Sequence, residues 1–396
     1  MSINMSHVRF AAFAGLVAAS ASLFAEDAAS AKRELSLNYA NVETNLSTIR
    51  TFAEAPKTFD ALNAADEDLA RFGFPARPDP LAEPEHYAMW TRAMQAAKIR
   101  WRGKLKTIQA EKRPSDSPLS SERMESSVPA ASVPATSTSY DWSGVVLTKN
   151  LSAYNRSQSF SDIYSLMTVQ VGQLPFGAEC NPNVSEVEFD QYTWVGLNGY
   201  VKNAAIQPGS SRGALWGGVW TQVQCNPYVP LPATYHAMIG WTPGLNIMAF
   251  NVNPGDMVYA EVGAPVGGTQ PSYLFIEDLT TLTYTAYSVS VPAGLTYVGD
   301  TAEWIVSRPC CRASGYPLAL LNTGETFFDG GAALDYAGHT LYPGSQAAST
   351  QLLTMRDDYN DQSIELVNQG ATGYEGNHGV MLQTTGCAWS GPCPVR

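Results

Sequence analysis

Thr301-Ala302-Glu303-Trp304-Ile305-Val306 is the stretch on which the fold turns. Side chains alternate along an extended strand, so Glu303 shares a face with Thr301 and Ile305, while Ala302, Trp304 and Val306 take the other. Both faces are largely apolar. A carboxylate between them has its charged form disfavoured by desolvation, which raises its pKa and suits a group that exchanges protons in acid. An edge-strand glutamate facing solvent is the alternative that periodicity alone leaves open.

Working outward, similar short runs rich in Val, Ile, Thr, Tyr and Trp occur at Ser165–Val171, Thr193–Leu197, Met257–Val262, Tyr273–Glu277, Thr283–Val291 and Gln351–Met355. Gly, Pro, Asn and Asp clusters separate them, a pattern that predicts an all-β sandwich over residues 140–396. No fixed-period repeat is present, which argues against a propeller or solenoid. Upstream, residues 26–113 carry a helical pattern. Tyr87, Trp90, Met94, Ala97, Trp101, Leu105 and Ile108 recur at spacings of three and four and predict a helix from Glu85 to about Lys112. Its opposite face is basic, with Arg92, Lys98, Arg100, Arg102, Lys104 and Lys106. Residues 114–139 are rich in Pro, Ser, Ala and Thr and predict a cleavable linker.

At the start, Arg9 precedes an apolar run, Phe10 to Phe24, that ends in small residues near Ala25. This predicts a secretory signal peptide over residues 1–25, too short to span a bilayer of about 30 Å. The expected protein lies outside the cytoplasmic membrane, extracellular or periplasmic, without a stable membrane anchor. The chain has 396 residues, 15% charged, and a net charge of -12. Residues 26–135 hold 15 basic and 16 acidic side chains, and residues 136–396 hold 8 and 20. So acidic a domain argues against nucleic acid as a partner. All six cysteines, Cys180, Cys225, Cys310, Cys311, Cys387 and Cys393, lie in this domain. An even number there predicts disulfides, with about 15 pairings open. Without C-x-x-C or H-E-x-x-H, no metal site is expected.

Hydrolase chemistry narrows by exclusion. Only three histidines, His236, His339 and His378, follow residue 136 to partner a catalytic serine, and no Asp-Thr-Gly or Asp-Ser-Gly loop supplies paired aspartates. Glu303 remains, together with Gln207 in Ala204-Ala205-Ile206-Gln207-Pro208-Gly209, which alone is an ordinary loop glutamine.

Five ordered motifs resemble the glutamic peptidases, or eqolisins: Trp142-Ser143-Gly144, Trp194-Val195-Gly196-Leu197-Asn198-Gly199, Ala205-Ile206-Gln207-Pro208-Gly209, Asn253-Pro254-Gly255-Asp256 and Ala302-Glu303-Trp304-Ile305-Val306. The resemblance runs from about Tyr140 to about Met355. It implies a lectin-like sandwich of two antiparallel sheets, preceded here by the helical pro-segment, and a pepstatin-insensitive acid endopeptidase made as a pre-pro-enzyme. The family's catalytic glutamate and glutamine map onto Glu303 and Gln207, and its tryptophan onto Trp194. Trp142, Trp194, Asn198 and Trp241 are candidates for substrate contact, with core packing the equal alternative for the tryptophans. Where the family usually has aspartate, this chain has Asn198, from which a milder acid optimum is expected. The implied partners are protein or peptide substrates and the chain's own propeptide as inhibitor, whose basic helix is expected to dock electrostatically on the acidic domain at neutral pH and to loosen in acid. No cofactor is expected, and the enzyme is expected to be a monomer. Rival readings are a non-catalytic, lectin-like sugar-binding module, a glycoside hydrolase pairing Glu303 with Glu261 or Glu277, and a secreted structural protein.

Overall fold

The computed structural model describes residues 37–108, 135–139, 142–175, 179–180, 188–200, 213–242, 245–308, 319–344, 350–359, 362–374 and 378–384. Residues 1–25, Gln207 and four of the cysteines lie outside them. The predicted runs are strands, and they assemble into two facing sheets. Across the front sheet the order is Ala135–Ser139, Thr350–Tyr359, Trp142–Thr148, Thr301–Ser307, Glu188–Leu197, Ala214–Asn226, Thr234–Thr242, Leu245–Asn251 and Lys106–Ile108. Every pairing except the first is antiparallel. The back sheet begins with Ile49–Thr51 and continues through Thr283–Val289, Ser272–Asp278, Met257–Gly263, Phe160–Thr168, Glu325–Asp335, Gly379–Thr384 and Gln362–Tyr374. Its last strand also pairs with the far end of Thr350–Tyr359, joining the sheets along one edge.

The alternation read at 301–306 explains the packing. Trp304 and Val306 point between the sheets with Val195, Leu215, Ile239, Val258, Val262, Leu274, Ile276 and Phe328. Each buried Val, Leu or Ile stabilises the fold by roughly 1.5–3 kcal/mol. Cys180 and Cys225 form a disulfide that ties the end of Ala214–Asn226 to the chain ahead of Glu188–Leu197.

The N-terminal segment differs from expectation. Its longer described helices are α1, Asp66–Phe72, and α2, Pro84–Ala96. Proline at the first position of α2 suits a helix start, and His86, Trp90, Ala93 and Met94 form its buried stripe. The predicted continuation to Lys112 does not occur. Lys98 and Ile99 donate backbone N–H groups to the Leu282 carbonyl and Trp101 donates to Tyr284, so Ile99–Arg100 becomes a short strand beside Thr283–Val289. Tertiary pairing overrides the propensity of a Lys/Arg-rich run, helped by Gly103, a poor helix former. Trp101 and Leu105 then join the core between the sheets instead of extending the helical stripe. The last residues of the predicted linker, Ala135–Ser139, also form a strand.

This segment makes a third layer. Phe52, Leu69, Phe74, Trp90 and Met94 pack on Tyr164, Tyr259, Tyr273, Phe275 and Tyr284 of the back sheet's outer face. The predicted electrostatic docking of a basic face is thus replaced by aromatic packing. Arg100 bonds to the Ala53 carbonyl at 2.6 Å and to Thr51, and Arg102 pairs with Glu54, all within the N-terminal segment. Glu277, fully buried on the covered face, has its pKa raised, chiefly by desolvation. Acid keeps that group neutral and so favours the docked layer, opposite to a release in acid. No described helix is long and apolar enough to cross a membrane.

Trp90 tests whether the layer belongs to the cooperative unit. It is fully buried, its indole donates to the Pro75 carbonyl at 3.1 Å and the Arg77 guanidinium lies over its ring. Trp90→Ala is expected to lower the unfolding free energy of the whole chain by about 3–5 kcal/mol in urea. A loss below about 0.5 kcal/mol would show that the layer unfolds separately.

Candidate active site

The front sheet's outer face carries three of the residues selected from the sequence, Glu303, Trp142 and Trp194. Glu303 sits opposite Val146 on one neighbouring strand and Gly196 on the other, and Ile305 sits opposite Gly144 and Trp194. Two motif glycines are explained by contact. A Cβ at Gly144, whose φ is 148°, would lie 2.0 Å from the Trp304 carbonyl oxygen. One at Gly196 would meet the Trp194 ring at 2.6 Å and the Leu215 carbonyl at 2.8 Å. Only glycine lets these strands flank Glu303 so closely.

Glu303 is fully buried. Its Oε1 accepts N–H bonds from Gly199 at 2.8 Å and Tyr200 at 3.0 Å, together with the Thr301 hydroxyl. Its Oε2 has no hydrogen-bond partner among the described residues. Burial pushes the group up to about 7; the three donors pull the other way, and nearby Asp300 adds to the rise. The desolvation foreseen from the two apolar faces therefore dominates. A neighbouring carboxylate is present after all, supplied by Asp300 and not by residue 198.

Trp142 and Trp194 share this face and meet edge to face at 5.1 Å, with the Trp194 indole donating to Ser307 at 2.9 Å. Trp241 does not join them. It lies in the core, its indole bonded to Ser272 of the back sheet at 3.0 Å, because its place in the alternation puts it beside Leu215. The aromatic wall is completed by residues not singled out from the sequence: Trp216, 6.2 Å from Trp194; Tyr192, 5.6 Å from Trp216; and Trp220, stacked on Tyr192 at 5.9 Å. Their signal was present, since Trp216, Gly218 and Trp220 fall on one face of a strand. Asp190, at the far end, is also buried, with its pKa raised by desolvation and by Glu188; its Oδ1 accepts from Trp220 and Gln222.

Asn198 is fully buried with a φ of 73° and contacts protein backbone through its amide, not an open cleft. Gln207 belongs to the segment that leaves the described chain after Tyr200 and returns at Gly213.

Residues 140–364 match the model of the Peptidase A4 family. Among solved structures, scytalidoglutamic peptidase bound to a transition-state analogue inhibitor shares 15% identity, covers 62% of this chain and 98% of its own, and gives a TM-score of 0.43. SCP-B, an eqolisin in complex with the tripeptide Ala-Ile-His, gives the same values. Aspergilloglutamic peptidase from Aspergillus niger shares 18% identity over 50% of this chain and 99% of its own, with a TM-score of 0.37. No curated protein sequence matches the chain.

The raised pKa of Glu303 has a consequence for stability. The folded chain holds that proton more tightly than the unfolded one, whose ordinary value is 4.5. Burial therefore costs little while the group is protonated, and stability falls as pH rises from 4.5 through about 7. Asp190 and Glu277 are shifted in the same direction. The melting temperature is expected to drop across this window, and Glu303→Gln to flatten part of the drop. Parallel curves for the two proteins would refute the assignment of the rise to Glu303.

Proposed function

The chain belongs to the Peptidase A4 family of glutamic-type endopeptidases, and from that premise we propose that Glu303 and Gln207 are its catalytic pair, hydrolysing peptide bonds of protein substrates in mild acid. The observation that carries this reading is the state of Glu303: one oxygen held by three donors, the other without a described partner, and a proton affinity raised by burial. A carboxyl that loses and regains a proton near the working pH serves as base and acid in turn.

Ionised Glu303 takes a proton from a water molecule whose oxygen attacks the scissile carbonyl carbon. The Gln207 amide N–H donates to the oxyanion as it forms; losing such a donor costs about 10²–10³ in rate. Collapse of the tetrahedral intermediate breaks the C–N bond, and Glu303 returns its proton to the departing amine. Atoms and charge balance without a metal or organic cofactor. Trp142 and Trp194, with Tyr192, Trp216 and Trp220, supply an aromatic wall for substrate side chains.

Secretion through residues 1–25, synthesis as a pre-pro-enzyme and a monomeric state complete the proposal. The N-terminal layer is its regulatory part. Since α1 and α2 lie on the back sheet, inhibition by this segment is assigned to the part that shares the front sheet with Glu303, at Lys106–Ile108.

Purified protein assayed with a protein substrate and pepstatin from about pH 3 to about pH 8 tests the pair. Glu303→Gln is expected to abolish pepstatin-resistant cleavage and Gln207→Ala to reduce it at least about 10²-fold. Near-normal turnover in either variant would remove that residue from the mechanism. Sugar binding without proteolysis would favour the lectin-like reading. Because the base must be ionised, kcat/KM is expected to fall as pH drops through the Glu303 pKa, with its acid limb above the ordinary carboxylate value of 4.5. A limb at or below that value would mean that water reaches and screens the group.

A further inference from the structure

We propose that Asn198 is a positioning residue for Glu303, an amide clamp that fixes the backbone donors around the carboxylate independently of pH; this rests on Glu303 being the catalytic base. Asn198 directly precedes Gly199 and Tyr200, whose N–H groups hold Glu303 Oε1. Its Nδ2 donates to the carbonyls of Gly213 at 3.1 Å and Thr296 at 2.9 Å. Its Oδ1 accepts from the N–H groups of Val298 at 2.7 Å and Gly299 at 3.1 Å. Its own N–H donates to Thr301 at 3.1 Å. Both amide protons and both acceptor sites are thus used.

These partners lie on different pieces of the site. Gly213 introduces the Ala214–Asn226 strand, and residues 296–299 lead into the strand bearing Glu303. One buried side chain fastens both to the turn that cradles the carboxylate. The left-handed backbone at 198 is tolerated by asparagine and glycine, so conformation alone does not explain the amide. A carboxylate cannot reproduce it. Ionised, it would press oxygens against two carbonyl oxygens; protonated, it keeps a single donor. The titratable side chains on the segments packed around it are Tyr200, Tyr297, Asp300 and Glu303, so another negative charge would be opposed there.

The test compares kcat and KM against pH for the wild type, Asn198→Gly and Asn198→Asp, with Glu303→Gln in parallel and folding checked by thermal unfolding. Asn198→Gly keeps the left-handed turn without the clamp. It is expected to leave KM nearly unchanged and to lower kcat at every pH by about 10²-fold, the cost of a small misplacement of a catalytic group. Asn198→Asp is expected to recover partly in acid, where its carboxyl can donate, and to lose the alkaline side of the wild-type profile. Wild-type kcat in Asn198→Gly would overturn the clamp, as would a profile of wild-type shape in Asn198→Asp. If Asn198→Gly does not fold, the Asn198→Asp profile alone decides. Activity in Glu303→Gln would overturn the catalytic reading and the clamp together. An inactive Glu303→Gln with unperturbed Asn198 variants would overturn the clamp alone.

Discussion

A carboxylate held out of water at the middle of a sheet is the constraint around which the front of this protein is arranged. Removing a charged group from water costs far more than one hydrogen bond returns, so the group is kept near neutrality and its ionised form is given donors. Gly199, Tyr200 and Thr301 supply the donors; Gly144 and Gly196 let the flanking strands close in. The three donors act on Glu303 directly, and the two glycines act through the strands beside it. That dependence is also why short motifs far apart in sequence occur together.

Much of this was legible because strand alternation is a local property. Residues 301–306 sort correctly onto two faces without knowledge of their neighbours, and once the register is known the same counting puts Trp142 and Trp194, opposite Ser307 and Ile305, on the face of Glu303. Trp241 was left open between cleft and core because a tryptophan was weighed by type and not by parity. Counting by twos from Leu215, its cross-strand neighbour, puts it in the core, and the same count along Trp216–Trp220 finds the aromatic wall. The amide network of Asn198 was invisible for another reason: its partners are main-chain groups of Gly213, Thr296, Val298 and Gly299, whose proximity no side-chain pattern records.

The N-terminal segment shows the limit of local reading most clearly. Helical spacing persists through Trp101, Leu105 and Ile108, yet the chain leaves the helix after Ala96. A strand edge offering unpaired carbonyls at Leu282 and Tyr284 is a stronger partner than one more helical turn, and nothing in residues 97–108 reveals that edge. The charge pattern misled likewise. Basic side chains on the segment and acidic ones on the body suggested an electrostatic latch, but the contact is aromatic and covers a carboxyl that prefers its proton.

Two short strands of that segment also decide how the polypeptide reaches its final form. Ile49 pairs with Val289, and Ile108 with Asn246, so early residues close edges that do not exist until the middle of the chain has been made. Pairings this distant in sequence slow folding, because loop-closure entropy must be overcome before the contacts reward it. Until then Phe52, Phe74 and Trp90 have no sheet to rest on, and the back sheet has no cover for Tyr259, Tyr273 and Phe275. Emerging on a ribosome or through a translocation pore, the chain spends that interval with complementary aromatic surfaces exposed. Its vulnerability to misassembly is therefore greatest before residue 289 is available and smallest once the three layers have met.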